Sequence, residues 1–168
     1  MEHVEIERKW LMDGFPDLPV ASEVEIQQGY LAFEPVTVRV RKATLHAGEK
    51  SYTTWRLTVK GQGTLARAEV EVDMDEEQYE ALLGLLAAPA ANKLLRYYAL
   101  PDGYHLECSL VDEGQPTAFY YAEVEFDSIE EANAFVPPPF LGREVTEEPG
   151  HSMAAYCRRK AAPPPAEG

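Results

Sequence analysis

Acidic and basic residues of this chain are sorted onto separate segments, and each segment alternates charged with apolar residues at a period of two. Written as a strand, Glu5-Ile6-Glu7-Arg8-Lys9 puts Glu5, Glu7 and Lys9 on one face, about 7 Å apart along the chain. Val4, Ile6 and Trp10 take the other face. Arg67-Ala68-Glu69-Val70-Glu71-Val72-Asp73 and Tyr121-Ala122-Glu123-Val124-Glu125-Phe126-Asp127 repeat the acidic half. Basic pairs come from Val38-Arg39-Val40-Arg41 and from Arg56-Leu57-Thr58-Val59-Lys60. His105-Leu106-Glu107-Cys108-Ser109 sets His105, Glu107 and Ser109 against Leu106 and Cys108. An antiparallel sheet with one solvated face also alternates. Such a face mixes Thr, Ser, Lys and Gln, whereas here acidic pairs and basic pairs occupy separate strands. This sorting suits a closed barrel with a polar lumen, with a metal on its acidic side and a polyanion on its basic side.

The ordered set of motifs resembles the CYTH, or triphosphate tunnel metalloenzyme, family. The resemblance rests on Glu5-x-Glu7-x-Lys9, Gln28-Gly29-Tyr30-Leu31, Arg39-Val40-Arg41 and Thr58-Val59-Lys60-Gly61. It continues through Arg67-x-Glu69-x-Glu71, Arg96-Tyr97, Ala122-Glu123-Val124-Glu125 and Phe140-Leu141-Gly142-Arg143-Glu144-Val145-Thr146. The motifs keep family order from Glu5 to about Ser152. The chain departs from the pattern at three places. Tyr104 and Glu107 stand where the family has a Trp and an Asp. Leu94 takes the place of a family lysine, with Lys93 one residue earlier and thus expected on the other face. His151-Ser152-Met153 replaces Tyr-Ser-Asn.

The fold expected is α+β: a closed or nearly closed eight-stranded antiparallel β tunnel barrel with flanking helices. Strands are placed near 3–11, 25–33, 36–43, 51–60, 65–73, 93–99, 104–111 and 118–127. Pro101-Asp102-Gly103 reads as a tight turn. Asp75 opens one helix, and Ser128 opens another with Glu131 completing a capping box. Pro137-Pro138-Pro139 stops the second, and a last helix follows Pro149. One domain is expected over 1–160, followed by a disordered Pro/Ala-rich tail at 161–168. Arg158-Arg159-Lys160 reads as favourable charge at a helix C-terminus rather than as a substrate contact.

Composition excludes several classes. The net charge of −14 is the wrong sign for a nucleic-acid surface. No apolar run approaches the ~18 residues of a membrane span. No signal peptide is expected. Cys108 and Cys157 lack metal-ligand spacing, and Cys108 falls on an apolar face. A reducing, cytoplasmic setting is the expectation. A homodimer is an assembly left open.

The resemblance implies a metal-dependent triphosphatase that splits inorganic triphosphate into pyrophosphate and phosphate. The alternatives are a class IV adenylate cyclase, a thiamine triphosphatase, or a non-enzymatic polyphosphate or nucleotide binder. Arg39, Arg41, Lys60, Arg67, Arg96 and Lys9 are the expected phosphate-binding residues, because forked guanidiniums match phosphate oxygens. Glu5, Glu7, Glu123 and Glu125 are the expected metal ligands, supplemented by Glu69, Glu71 and Glu107. Oxygen donors of this kind suit Mg²⁺ or Mn²⁺. Lys9, beside Glu5 and Glu7, is expected to position the reacting phosphate or the attacking water.

Overall fold

The computed structural model describes residues 3–161. Eight strands close into one antiparallel barrel in the order β1-β5-β4-β3-β2-β6-β7-β8. They are β1 (His3–Met12), β2 (Ser22–Ala32), β3 (Thr37–Ala47), β4 (Lys50–Lys60), β5 (Ala66–Met74), β6 (Ala91–Ala99), β7 (His105–Val111) and β8 (Phe119–Glu125). Three helices flank them: α1 (Glu76–Leu83), α2 (Ile129–Ala134) and α3 (Met153–Ala161), the last preceded by a 3₁₀ turn at Pro149–His151. The β2 and β3 strands run longer than their sequence patterns, because their pairing continues to Glu23↔His46. The expected tail at 161–168 falls, beyond Ala161, outside the described residues. Among the described residues, no helix is long and apolar enough to cross a membrane.

A barrel with a charged interior must turn its apolar side chains outward and cover them. The largest core therefore lies outside the wall, where α2 and its flanks pack over β1, β7 and β8. Trp10, Leu106, Cys108, Val124, Phe126 and Phe135 form it. Arg8 shares the outward parity and serves this side. It donates to Glu144 Oε1 at 2.7 Å and to the carbonyls of Ala132 and Phe135 at 2.8 Å each. Asp75 caps α1 reciprocally with Gln78. At α2, Ser128 accepts from the Glu131 amide as expected, but the Glu131 carboxylate takes the amide of Asp127 instead of that of Ser128. That helix ends at Ala134, before the prolines are reached. The Pro101–Gly103 turn forms, with Gly103 at φ 90° and its amide on the Leu100 carbonyl.

The segment after α2 completes the wall where β5 leaves β1. Leu11 N donates to Arg143 O at 2.9 Å, and Val145 N donates to Lys9 O at 2.8 Å. Gly142 is required by this approach: a Cβ there would lie 2.1 Å from the Leu11 carbonyl oxygen.

The α3 helix closes one end of the barrel. Met153, Tyr156 and Cys157 pack with Tyr30, Ala91, Val111 and Tyr121. Asp112, fully buried, anchors this lid: it accepts from Tyr156 Oη at 2.5 Å, Lys160 Nζ at 2.9 Å and the Asn92 amide at 2.9 Å. Arg159 and Lys160 also donate to the carbonyls of Gly150 and Ala90, so the terminal cations fasten the helix in place. Removing one partner of a buried ion pair leaves the other uncompensated. Asp112→Ala is therefore expected to destabilise the protein by about 3 kcal/mol, lowering the melting temperature by roughly 8 °C. Asp112→Asn, which keeps an acceptor, should lose less. Thermal unfolding of both variants checks this.

Candidate active site

Strand parity carries the charged side chains into a cavity of about 670 Å³ inside the barrel. Glu5, Glu7, Lys9, Arg39, Arg41, Lys60, Arg67, Glu69, Glu71, Glu107, Glu123 and Glu125 all line it. The register sets the neighbours: Glu7 lies opposite Glu125 and Lys9 opposite Glu123, while Arg39 faces Thr58 and Lys60 faces Glu69.

Arg96 is the exception, and Lys93 is its counterpart. The expectation that Arg96 binds substrate is corrected by β6. Its register with β2 sets Leu95 opposite Val24 and turns residues 93, 95 and 97 inward, which sends Arg96 out. There Arg96 Nε donates to Glu23 at 2.8 Å and its guanidinium lies 4.2 Å from the Phe15 ring centroid. Lys93, expected to point away, lines the cavity and donates to Tyr121 Oη at 2.7 Å.

The basic wall is preorganised. Gln28, fully buried, accepts from Arg41 Nε at 3.1 Å and Nη2 at 2.8 Å, which fixes the plane of that guanidinium. Arg39 Nη2 donates to Thr58 Oγ1 at 3.3 Å, whereas Arg39 Nε is buried without an acceptor. A buried cationic donor left unsatisfied is costly unless an anion arrives to take it. Burial, aided by Arg39, pushes the Arg41 guanidinium below its usual value. Both observations describe a wall that wants an anion.

The acidic wall is the mirror case. One carboxylate oxygen each from Glu5, Glu7 and Glu125 lies within 4.8 Å of the others. Glu5 is neutralised by Lys60, whose Nζ lies 2.9 and 3.0 Å from its two oxygens, with Arg67 at 3.6 Å. Among the described residues, Glu7 has only the Arg67 guanidinium, at 4.0 Å. Burial, Glu123 and Glu5 raise its carboxyl well above the usual range, which favours its protonated form beside Glu123. Burial opposes ionisation of Glu123 too, but Lys9 and the bond from Glu7 outweigh it and hold that carboxyl down. Burial and neighbouring carboxylates raise Glu125, and raise Glu69 and Glu107 to about 7. Crowded carboxylates with this much unmet charge fit a hard divalent cation. Glu5, Glu7 and Glu125 could hold one directly. Glu69 and Glu71 stand on the adjoining β5 wall, and Glu123 sits between Glu7 and Lys9.

A pH prediction follows from the signs. Glu69 and Glu107 bind protons more tightly in the folded chain than in the unfolded one. The metal-free protein therefore loses stability as pH rises from about 4.5 to 7. Ions that need these carboxylates charged bind better over the same range. Mg²⁺ is expected to raise the melting temperature more at pH 8 than at pH 5.5; equal shifts at the two pH values would contradict this.

The lumen also holds two tyrosines that charge patterning missed. Tyr30 and Tyr121 line the cavity beside the cations, with Thr58 and Ser109 on the lumen face that alternation gives them. Tyrosine counts as core in an apolar pattern, so only the parity of Gln28 with Tyr30 and of Tyr121 with Glu123 signals them. The His151 contribution is its backbone carbonyl, which accepts from Lys9 Nζ at 2.5 Å. Past Arg39 and Arg41 the lumen turns apolar, lined by Val24, Ile26, Ala43, Leu45 and Leu95.

Comparison with known proteins agrees with this geometry. The chain is 35% identical over 153 residues to an inorganic triphosphatase of Nitrosomonas europaea, covering 91% of this chain and 96% of that protein. It is 33% identical over 149 residues to an inorganic triphosphatase of Acetivibrio thermocellus, covering 86% and 87%. The crystal structure of the inorganic triphosphatase NE1496 superposes with a TM-score of 0.63 at 30% identity, over 95% of this chain and 96% of that one. A Pyrococcus horikoshii protein, PH1819, shares the fold at a TM-score of 0.56 and 17% identity, over 77% and 82% of the two chains. No family model matches the chain.

Proposed function

From the premise that this chain belongs to the inorganic triphosphatase family, we propose that its tunnel hydrolyses inorganic triphosphate to pyrophosphate and phosphate with Mg²⁺ or Mn²⁺. The observation that carries the reading is the division of one enclosed cavity into two unsatisfied walls. On one side Arg39 Nε is buried without an acceptor; on the other three carboxylate oxygens crowd within 4.8 Å. A triphosphate would satisfy the first, and a divalent cation held by Glu5, Glu7 and Glu125 would satisfy the second.

Triphosphate is kinetically resistant because its negative charge repels nucleophiles, so catalysis is mainly positioning and charge neutralisation. Arg39 and Arg41, held by Thr58 and Gln28, present fixed donors to phosphate oxygens. Lys9 adds charge at the lid end, and Lys93, whose pKa burial and Arg41 lower, would be driven to its charged form by a bound phosphate. Lys60 and Arg67, now bonded to Glu5, stand between the two walls and can turn to phosphate when a cation takes over that carboxylate. Glu5, Glu7 and Glu125 would hold the cation, which supplies charge neutralisation at the phosphate oxygens and polarises water. Lys9 lies where the terminal phosphate meets the acidic wall. Its ammonium can stabilise charge developing there as water attacks and pyrophosphate leaves. The α3 lid limits bulk water at that end.

The test is phosphate release from tripolyphosphate, ATP, GTP and thiamine triphosphate, each with Mg²⁺ and with Mn²⁺, with cyclic AMP measured in parallel. Tripolyphosphate is expected to be turned over fastest, with activity lost in excess EDTA. Faster turnover of ATP with cyclic AMP formed would replace this reading with the cyclase.

A further inference from the structure

We infer that Tyr121 is a positioning residue for this hydrolysis, one side chain that aims both Lys9 and Lys93 at the triphosphate. The inference rests on the tunnel being the triphosphate site. Tyr121 is 1% exposed and lines the cavity from β8. Lys9 Nζ lies 4.2 Å from the centroid of its ring. Lys93 Nζ, from β6, donates to its hydroxyl at 2.7 Å and lies 5.4 Å from the same centroid. Phe119 stacks beside it with centroids 5.9 Å apart, and Tyr156 of the lid braces Phe119 edge-on at 5.0 Å. The ring is thus fixed by packing before substrate arrives.

The choice of an aromatic ring has a physical reason. A carboxylate hydrogen-bonded to Lys9 would spend its N–H donors, and Glu123, its cross-strand neighbour, acts on it by charge alone. A ring face attracts the cation through its quadrupole and leaves the N–H donors unspent. Lys9 now gives one donor to the His151 carbonyl of the lid at 2.5 Å. A phosphate oxygen can replace that carbonyl, while the ring contact survives the exchange. The hydroxyl accepts one N–H of Lys93 and leaves the others for substrate; burial and Arg41 lower the Lys93 pKa, and a bound phosphate would favour its charged form.

The two halves of the side chain can be separated. Steady-state kinetics with tripolyphosphate and Mg²⁺ are measured for Tyr121→Phe, Tyr121→Leu, Lys93→Met and the Tyr121→Phe/Lys93→Met double variant, with melting temperatures alongside. Tyr121→Phe keeps the face under Lys9 and loses the acceptor for Lys93. It is expected to raise KM about tenfold and to leave kcat within about twofold. Lys93→Met should reproduce that rise, and the double variant should add nothing to it. Tyr121→Leu should also lower kcat, by about tenfold. Equal kinetics for Tyr121→Phe and Tyr121→Leu would overturn the inference, because a merely structural role does not distinguish them. Additive effects in the double variant would overturn it as well. The Phe variant and the double variant suffice if the Leu variant does not fold. An active wild type with either result refutes the role of Tyr121 alone, whereas a wild type inert toward tripolyphosphate refutes the triphosphatase reading and this inference together.

Discussion

Glu7→Gln is expected to reduce turnover of tripolyphosphate by at least about a hundredfold while leaving the metal-free protein as stable as wild type or more so. The two halves of this result have different causes. In the absence of a cation, burial, Glu123 and Glu5 raise the Glu7 carboxyl well above the usual range and so favour its protonated form. A glutamine amide mimics that neutral state. Because the folded chain raises the Glu7 pKa above its unfolded value, Glu7 subtracts stability increasingly as pH rises above about 4.5. Gln removes that term, so the metal-free melting temperature at pH 8 should equal or exceed that of wild type. With a cation present the charge of Glu7 is needed, and Gln cannot supply it. The stabilisation by Mg²⁺ should shrink along with turnover. Glu5→Gln provides the contrast. Glu5 is the partner of Lys60 at 2.9 Å and of Arg67 at 3.6 Å, so its neutralisation strands two cations and should lower stability as well. A Glu7→Gln enzyme with wild-type turnover and wild-type stabilisation by Mg²⁺ would remove Glu7 from the cation site.

The barrel was legible in the sequence because its charges obey strand parity. In β1, β3, β4, β5 and β8 the charged residues that matter share one parity and their apolar neighbours the other, so lumen and exterior separate on paper. The β6 strand fails this test. Lys93-Leu94-Leu95-Arg96 carries a cation on each parity, and alternation alone gives no reason to prefer either. The register of β6 with β2 decides it, and register is a long-range property. Arg96 is then free to pair with Glu23 outside, and Lys93, turned inward, donates to the Tyr121 hydroxyl. The lid was half legible. Proline and cationic residues marked where α3 begins and ends, but the contact that matters at the site is a backbone carbonyl, that of His151, which no side-chain pattern encodes. The anchor Asp112 was invisible for another reason. It lies in a loop at φ 48°, outside every periodic segment, and acquires its partners from residues 44 and 48 positions further along.

Lys9→Ala and Arg41→Ala should fail in different ways. Arg41 sits on the wall that meets the phosphates in ground and transition states alike, with its plane set by two bonds to Gln28. Loss of such uniform binding appears in KM. Arg41→Ala is therefore expected to raise KM by about tenfold or more, with a smaller effect on kcat. Lys9 is placed differently. It faces Glu123 across the β1–β8 pair, and its ammonium is shared between the Tyr121 ring and the lid carbonyl of His151. Burial lowers its pKa while Glu123 and Glu7 oppose the shift, and in the buried lumen its charge acts on a bound phosphate with little water between them. Charge that develops on the phosphoryl oxygens during attack is felt most strongly at such a position. Lys9→Ala should lower kcat by about a hundredfold or more and change KM less. Increasing salt separates the two again: long-range attraction of a polyanion into the tunnel is screened, so KM should rise with ionic strength in wild type and in Lys9→Ala, and rise less steeply once Arg41 is gone. Unchanged triphosphate affinity in Arg41→Ala, or weaker binding with full turnover in Lys9→Ala, would reverse these assignments.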